Sequence, residues 1–205
     1  NKDLLSRVVK WKNIAEKALK WLLVMAHPDG EVSFFNDAAI GIAAPPQLLC
    51  DYAAQCGVSI AEESCASKVV TLKESGYSRV EMPSHVTFFD HAPIGPDYLP
   101  GHAHADTLSV EWSVGNHRVL VNSGTSLYGE SVERLRQRST AAHNTVVINS
   151  ENSSEVWGGF RVARRATAVL ESVSESSESV ELLASHDGYT RLKGRPVHRR
   201  KLCVT

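Results

Sequence analysis

The stretch Thr107-Leu108-Ser109-Val110-Glu111-Trp112-Ser113-Val114-Gly115-Asn116-His117-Arg118-Val119-Leu120-Val121 carries the clearest structural signal in the chain. Two runs rich in β-branched, aromatic and aliphatic residues flank Gly115-Asn116, a pair suited to the positive φ of a two-residue hairpin turn. Similar short runs lie on both sides of it: Lys68 to Leu72, Tyr77 to Met82, Val86 to Phe89, Asn144 to Ile148, Val162 to Leu170, Val180 to Ser185 and Val197 to Val204. Many short strands separated by turn residues predict an antiparallel sandwich. The serine-rich, acidic segment Glu171 to Glu178 reads as an exposed loop between strands, and Glu130 to Gln137 as a short helix.

Before residue 60 the period changes. Leu4, Leu5, Val8, Val9, Ala15, Ala18, Leu19, Leu22 and Leu23 recur at helical spacing with lysines between them, which predicts one amphipathic helix to about Ala26. The turn His27-Pro28-Asp29-Gly30 ends it. A second helix is signalled by Pro45-Pro46 at its start and Gly57 just past its end. The expected fold class is therefore α+β, with helical residues 1–60 followed by a β-sandwich over 61–205.

The 205 residues carry 22 Lys and Arg against 23 Asp and Glu, a net charge of -1, so nothing in the total points to nucleic acid. The longest apolar stretch, Trp21 to Ala26, falls far short of the ~20 residues a membrane span needs. Cys50, Cys56, Cys65 and Cys203 have neither CxxC spacing nor the density of a disulfide-stapled domain. The chain opens inside a helical pattern without a start methionine and stops in a strand-like run, and reads as an internal piece of something longer.

The densest chemistry is Gly101-His102-Ala103-His104-Ala105-Asp106. Two histidines two apart on extended backbone project to one side, with Cα atoms roughly 6–7 Å apart, so both rings can reach one site. A metal site begun this way needs further ligands, and His143 is the best-placed third. The other reading is a histidine that only closes a hydrogen-bond network under the Pro100-Gly101 turn. His85, His91, His117 and His198 are isolated and read as surface or strand-face residues; His186-Asp187-Gly188-Tyr189 reads as a turn. Arg134-Leu135-Arg136-Gln137-Arg138, and Arg161, Arg164 and Arg165 farther on, suit an anionic polymer, because guanidinium groups bind carboxylates and sulfates bidentately. A solvated or ion-paired face is the default for any one of them.

Four blocks in order make the sequence recognisable: Pro93-Ile94-Gly95-Pro96-Asp97-Tyr98-Leu99-Pro100-Gly101-His102-Ala103-His104-Ala105-Asp106; Val121-Asn122-Ser123-Gly124-Thr125; Arg134 to Val147, with Ala142-His143-Asn144 near its end; and Ser154-Glu155-Val156-Trp157-Gly158-Gly159-Phe160-Arg161-Val162. Together they resemble the C-terminal half of the heparinase II/III family of polysaccharide lyases. Phe35-Asn36-Asp37-Ala38-Ala39 resembles the segment where that family's helical toroid ends. The resemblance implies the C-terminal end of an α/α toroid followed by an antiparallel β-sandwich, with the active site in the cleft between them. It implies cleavage of uronic-acid-containing acidic polysaccharides, heparan-sulfate-like or bacterial exopolysaccharide, by β-elimination. His102 matches a histidine of the proton chemistry; His104 matches a ligand of a structural metal, usually zinc, held also by residues matching His143 and Asn122. Relatives with a well-formed zinc site carry aspartate where Asn122 stands, and an amide is a poorer zinc ligand. Tyr98 is expected to line the cleft, with Arg136 and Arg138 on the substrate. The family's catalytic tyrosine and carboxylate-neutralising residue are expected upstream of Asn1, which leaves the 205 residues alone inactive. A periplasmic or secreted location follows from the substrate class. Two other readings are a metal-dependent hydrolase or oxygenase built on the H-x-H-x-D triplet, and a carbohydrate-binding sandwich whose arginines grip the polymer.

Overall fold

The structure, a computed structural model, describes residues 2–58, 60 and 67–205. Cys65 and the expected boundary between helical and sheet parts lie outside the described residues. Helix α1 (Lys2–Val24) and helix α2 (Pro46–Gln55) pack through Leu19, Ala53 and Val58. Pro46 opens α2 where a missing N–H costs nothing. Gly57, at φ +70°, follows its end, and its carbonyl accepts the Lys12 ammonium. Among the described residues no helix is long and apolar enough to cross a membrane.

Five strands form one antiparallel sheet in sequence order: β1 (Val69–Leu72), β2 (Tyr77–Met82), β3 (His85–Asp90), β4 (Val110–Val114) and β5 (His117–Leu120). The hairpin expected at Gly115-Asn116 joins β4 to β5, with Val114 opposite His117 and Gly115 at φ +52°. A two-strand ribbon, β6 (Val156–Trp157) and β7 (Arg161–Val162), stands apart. The remaining strands, β8 (Ala168–Glu175), β9 (Val180–His186) and β10 (His198–Val204), form a second antiparallel sheet in the order β10-β9-β8.

The two sheets face each other. Val80, Phe89 and Val110 of the first, with Leu108 just before β4, pack against Val180, Leu182, Ala184 and Val204 of the second. Strand β3 is buried on both sides because its residues alternate between two cores. Phe89 points into the inter-sheet core, while Val86 and Phe88 join Met25, Phe35, Tyr77 and Ala92 on the opposite face. That second core docks the segment after α1 onto the first sheet and so fixes residues 25–37 against it.

Two expectations are corrected. Asn144 to Ile148 is not a strand: only Ile148 makes an isolated bridge, to Glu151, and Asn149 and Ser150 have positive φ. Its polar groups find partners outside a ladder, through Asn144 Nδ2 to the Val110 carbonyl, Thr145 Oγ1 to the Thr107 carbonyl and the Tyr189 hydroxyl to the Val146 carbonyl. Conversely, Glu171 to Glu175 is strand, and only residues 176–179 turn. One face of β8 is open to water, so Ser and Glu there satisfy an outward strand face that composition alone reads as loop.

Candidate active site

The candidate site forms where the segment after α1 meets residues 101–106. Asn36 adopts φ +54° and is held on three sides: its N–H donates to Asp106 Oδ2, its side-chain oxygen accepts from the His104 N–H, and its Nδ2 donates to the Tyr77 hydroxyl. This fixes the backbone that carries Asp37. The Thr125 N–H donates to the Ala38 carbonyl, and Gly124 (φ +55°) is required beside it, since a Cβ there would sit 2.3 Å from that oxygen.

The Asp37 carboxylate is the hub, with its side chain 6% exposed. Oδ2 accepts from His102 Nδ1 at 2.8 Å and from Arg134 Nη2 at 2.8 Å; Oδ1 accepts from His104 Nε2 at 2.8 Å and from Arg134 Nη1. Burial by itself would raise this carboxyl, but hydrogen bonds from His104, Arg134 and His102 outweigh it and hold it well below the usual carboxylate range.

The two histidines differ sharply in setting. His104 is fully buried, and its Nδ1 lies 3.3 Å from His143 Nε2. His143 is itself buried, which lowers its pKa to about 4, and its Nδ1 is buried with no hydrogen-bond partner among the described residues. The His102 side chain is 61% exposed, flanked by Tyr128 at 5.8 Å and Phe160 at 6.3 Å between ring centroids. Asn122 is tied to the residue after His143: its side-chain oxygen accepts from the Asn144 N–H, and its Nδ2 donates to Ser109. Among the described residues no three His, Cys, Asp or Glu side chains converge as a ligand set.

Helix α3 (Val132–Arg138) explains the arginines. Ser131 caps it by accepting from the Arg134 N–H, and positions 134, 137 and 138 form its buried face. Arg134 places its guanidinium on Asp37, Thr125 Oγ1 and the Gly159 carbonyl, between the rings of Tyr128 and Phe160. Arg138, expected on the substrate, is fully buried with its donors on the carbonyls of Ala103, Gly158 and Arg161. Burial and the Arg134 charge lower its pKa to about 10. Arg136 is exposed and paired with Glu133; Tyr98 is 86% exposed. Arg164 and Arg165 also have carboxylate partners, Glu155 and Asp97, and Arg161 lies over Trp157.

The sequence reading missed three anchoring residues. Asp37 and Asn36 entered only within a resemblance. Glu111 takes His27 Nε2 at 2.6 Å on one oxygen and the Phe34 and Asn122 N–H groups on the other, tying both flanks of the site to β4. The available signal was a carboxylate at a core-facing strand position, since a buried charge must have partners. His91 and His198 are also buried, bonded to Ser78 and His186 respectively, whereas His117 is exposed.

The heparinase II/III-like, C-terminal family matches residues 47–205. No curated protein matches the chain in sequence. Among solved structures, heparinase III superposes with a TM-score of 0.68 at 16% identity, over 92% of this chain and 32% of that one. A heparinase III-BT4657 gene product gives 0.61 at 18%, over 87% and 28%, and heparan sulfate lyase HepC from Pedobacter heparinus 0.61 at 16%, over 88% and 29%. At these identities the likeness shows the fold, mixed helix and antiparallel sheet as in one part of heparinase III, and the chain spans about a third of the length of those structures. With more than half its residues inside the family match, the chain belongs to the heparinase II/III-like family through its C-terminal domain.

Proposed function

We propose that this chain is the sandwich-side part of a lyase that cleaves uronic-acid-containing acidic polysaccharides by β-elimination, with His102 as proton-transfer residue. The observation that carries the reading is an exposed imidazole held at Nδ1 by a buried, ionised carboxylate, which leaves Nε2 open to a ligand. In the elimination the base takes the proton from C5 of the uronate. The C5–H electrons become the C4=C5 double bond, the C4–O bond breaks, and the leaving oxygen acquires a proton. Neutralisation of the uronate carboxylate makes the C–H acidic enough, and the groups for that step belong to the remainder of the parent protein.

We propose zinc as a structural ion behind His102, supported by one pair of imidazole nitrogens. Two nitrogens each ~2.05 Å from a tetrahedral metal stand ~3.3 Å apart, the spacing of His104 Nδ1 and His143 Nε2. His104 presents its other nitrogen to Asp37, the carboxylate–histidine arrangement common behind metal ligands. His104 and His143, with the Asn122 side-chain oxygen as the weaker third donor, would hold it, and its contribution would be to fix the rings rather than to activate substrate.

Tyr98 and Arg136 are the exposed residues proposed to contact the polymer. The Arg136–Glu133 pair lies in water and reopens at little cost. The substrate class places the protein in the periplasm or outside the cell. The test uses the full-length parent protein, intact and as His102→Ala, on a panel of uronate-containing polysaccharides, following the ultraviolet absorbance of the unsaturated uronate. Absorbance from the intact protein and not the variant supports the reading and names the polymer. New reducing ends without absorbance would mean hydrolysis; binding without cleavage, and unaffected by the variant, would mean a binding sandwich.

A further inference from the structure

We infer that Asp37 is the positioning residue of the site, one carboxylate that sets the tautomer of His102 and of His104 together. The inference rests on the lyase reading of His102. An ionised carboxylate only accepts hydrogen bonds, so each ring nitrogen facing it must carry its hydrogen. His102 thereby carries its hydrogen at Nδ1 and turns Nε2 away from the carboxylate, and His104 carries its hydrogen at Nε2 and turns Nδ1 toward His143.

The geometry also says why Asp37 positions and does not itself react. Two imidazole and two guanidinium nitrogens converge on its two oxygens, two on each, which fills the roughly four acceptor positions of a carboxylate. No lone pair remains for substrate. The carboxylate itself cannot turn, because Arg134 grips it with both terminal nitrogens from a fully buried position. Backbone motion is restricted by the three hydrogen bonds of Asn36. On the solvent side Tyr128 and Phe160 flank the His102 ring edge to face. A water-exposed imidazole without these contacts would exchange tautomers and rotamers, and only part of the population would present a basic Nε2.

The experiment uses the full-length parent protein. Asp37→Asn keeps the size and removes the acceptor-only character, because the amide offers one oxygen and one NH2, and one of the two rings must then reverse its tautomer. Expected is a fall in kcat of between ~10²- and ~10⁴-fold, with KM changed less than ~3-fold because no substrate contact is lost. The second measurement needs no variant at residue 37. With 15N-histidine labelling, the His102 signal, assigned by its loss in His102→Ala, should report a hydrogen held at Nδ1 in the wild type. An Nε2–H wild-type ring overturns the inference, whether or not Asp37→Asn folds. So does a folded Asp37→Asn protein with unchanged kcat. If instead His102→Ala still forms unsaturated product, the assignment of His102 as proton-transfer residue fails, while the wild-type ring signal still decides whether Asp37 sets the tautomer.

Discussion

Replacing Arg134 by Met tests the clamp beneath the site. The change keeps an unbranched apolar stem and deletes the guanidinium. Lost are both charge-assisted hydrogen bonds to Asp37, one to Thr125 Oγ1 and one to the Gly159 carbonyl. Charge-assisted bonds contribute roughly 1.5–3 kcal/mol each, and removal of one member of a buried ion pair costs roughly 3–5 kcal/mol. Asp37 keeps His102 and His104 as donors, so the expected loss stays within the range for losing one partner of a buried pair, about 3–5 kcal/mol of local stability. Hydrogen exchange by mass spectrometry on the parent protein reads this segment by segment. In Arg134→Met, peptides covering residues 34–38, 125–128 and 131–143 should exchange two or more orders of magnitude faster, since ~1.4 kcal/mol is tenfold. Arg136→Ala, two residues along the same helix but solvent-exposed, should leave those peptides unchanged. Equal exchange in the two variants would refute the reasoning, showing that desolvation of Arg134 cancels its pairing.

Two further outcomes follow from buried groups. Burial lowers the His91 pKa to about 4 from its ordinary 6.5; the folded state therefore resists the proton, and the stability is present above about pH 6.5 and lost as pH falls toward 4. Between pH 7 and 5 this residue accounts for about 2 kcal/mol, so His91→Asn should show a correspondingly shallower loss of urea midpoint over that interval, and an unaltered slope would contradict the assignment. Gly76→Ala should prevent accumulation of folded protein or lower its Tm by many degrees, because residue 76 has φ +75° and an added Cβ would lie 2.3 Å from the Ala92 Cα, a backbone atom that cannot swing away; a Tm within a degree or two of the parent's would show that the turn relaxes freely.

The sequence alone determined the local elements. Helical periodicity and Pro45-Pro46 with Gly57 located α1 and α2, and the Gly115-Asn116 turn fixed the β4–β5 hairpin, because these depend on residues a few positions apart. The Glu171 to Glu175 strand escaped for the same reason: its water-facing side chains carry no apolar alternation, and only pairing with β9 makes it strand. Asn144 to Ile148 looked like a strand by composition, but its polar groups bond to side chains and carbonyls of other elements. The H-x-H spacing made a candidate site at residues 102 and 104 legible, with His143 as a third member, and the resemblance added Asn122. Which histidine is open and which buried was not legible, nor was the carboxylate that joins them, since Asp37 lies 65 residues before His102 and 97 before Arg134. The roles of the arginines were likewise settled by tertiary contacts. Arg134, Arg136 and Arg138 are alike in sequence, yet the turn of α3 sends two inward to a carboxylate and carbonyls and leaves one in water. Periodicity reports which residues share a face, but the partner that face meets is decided by chain segments brought together only when the core closes.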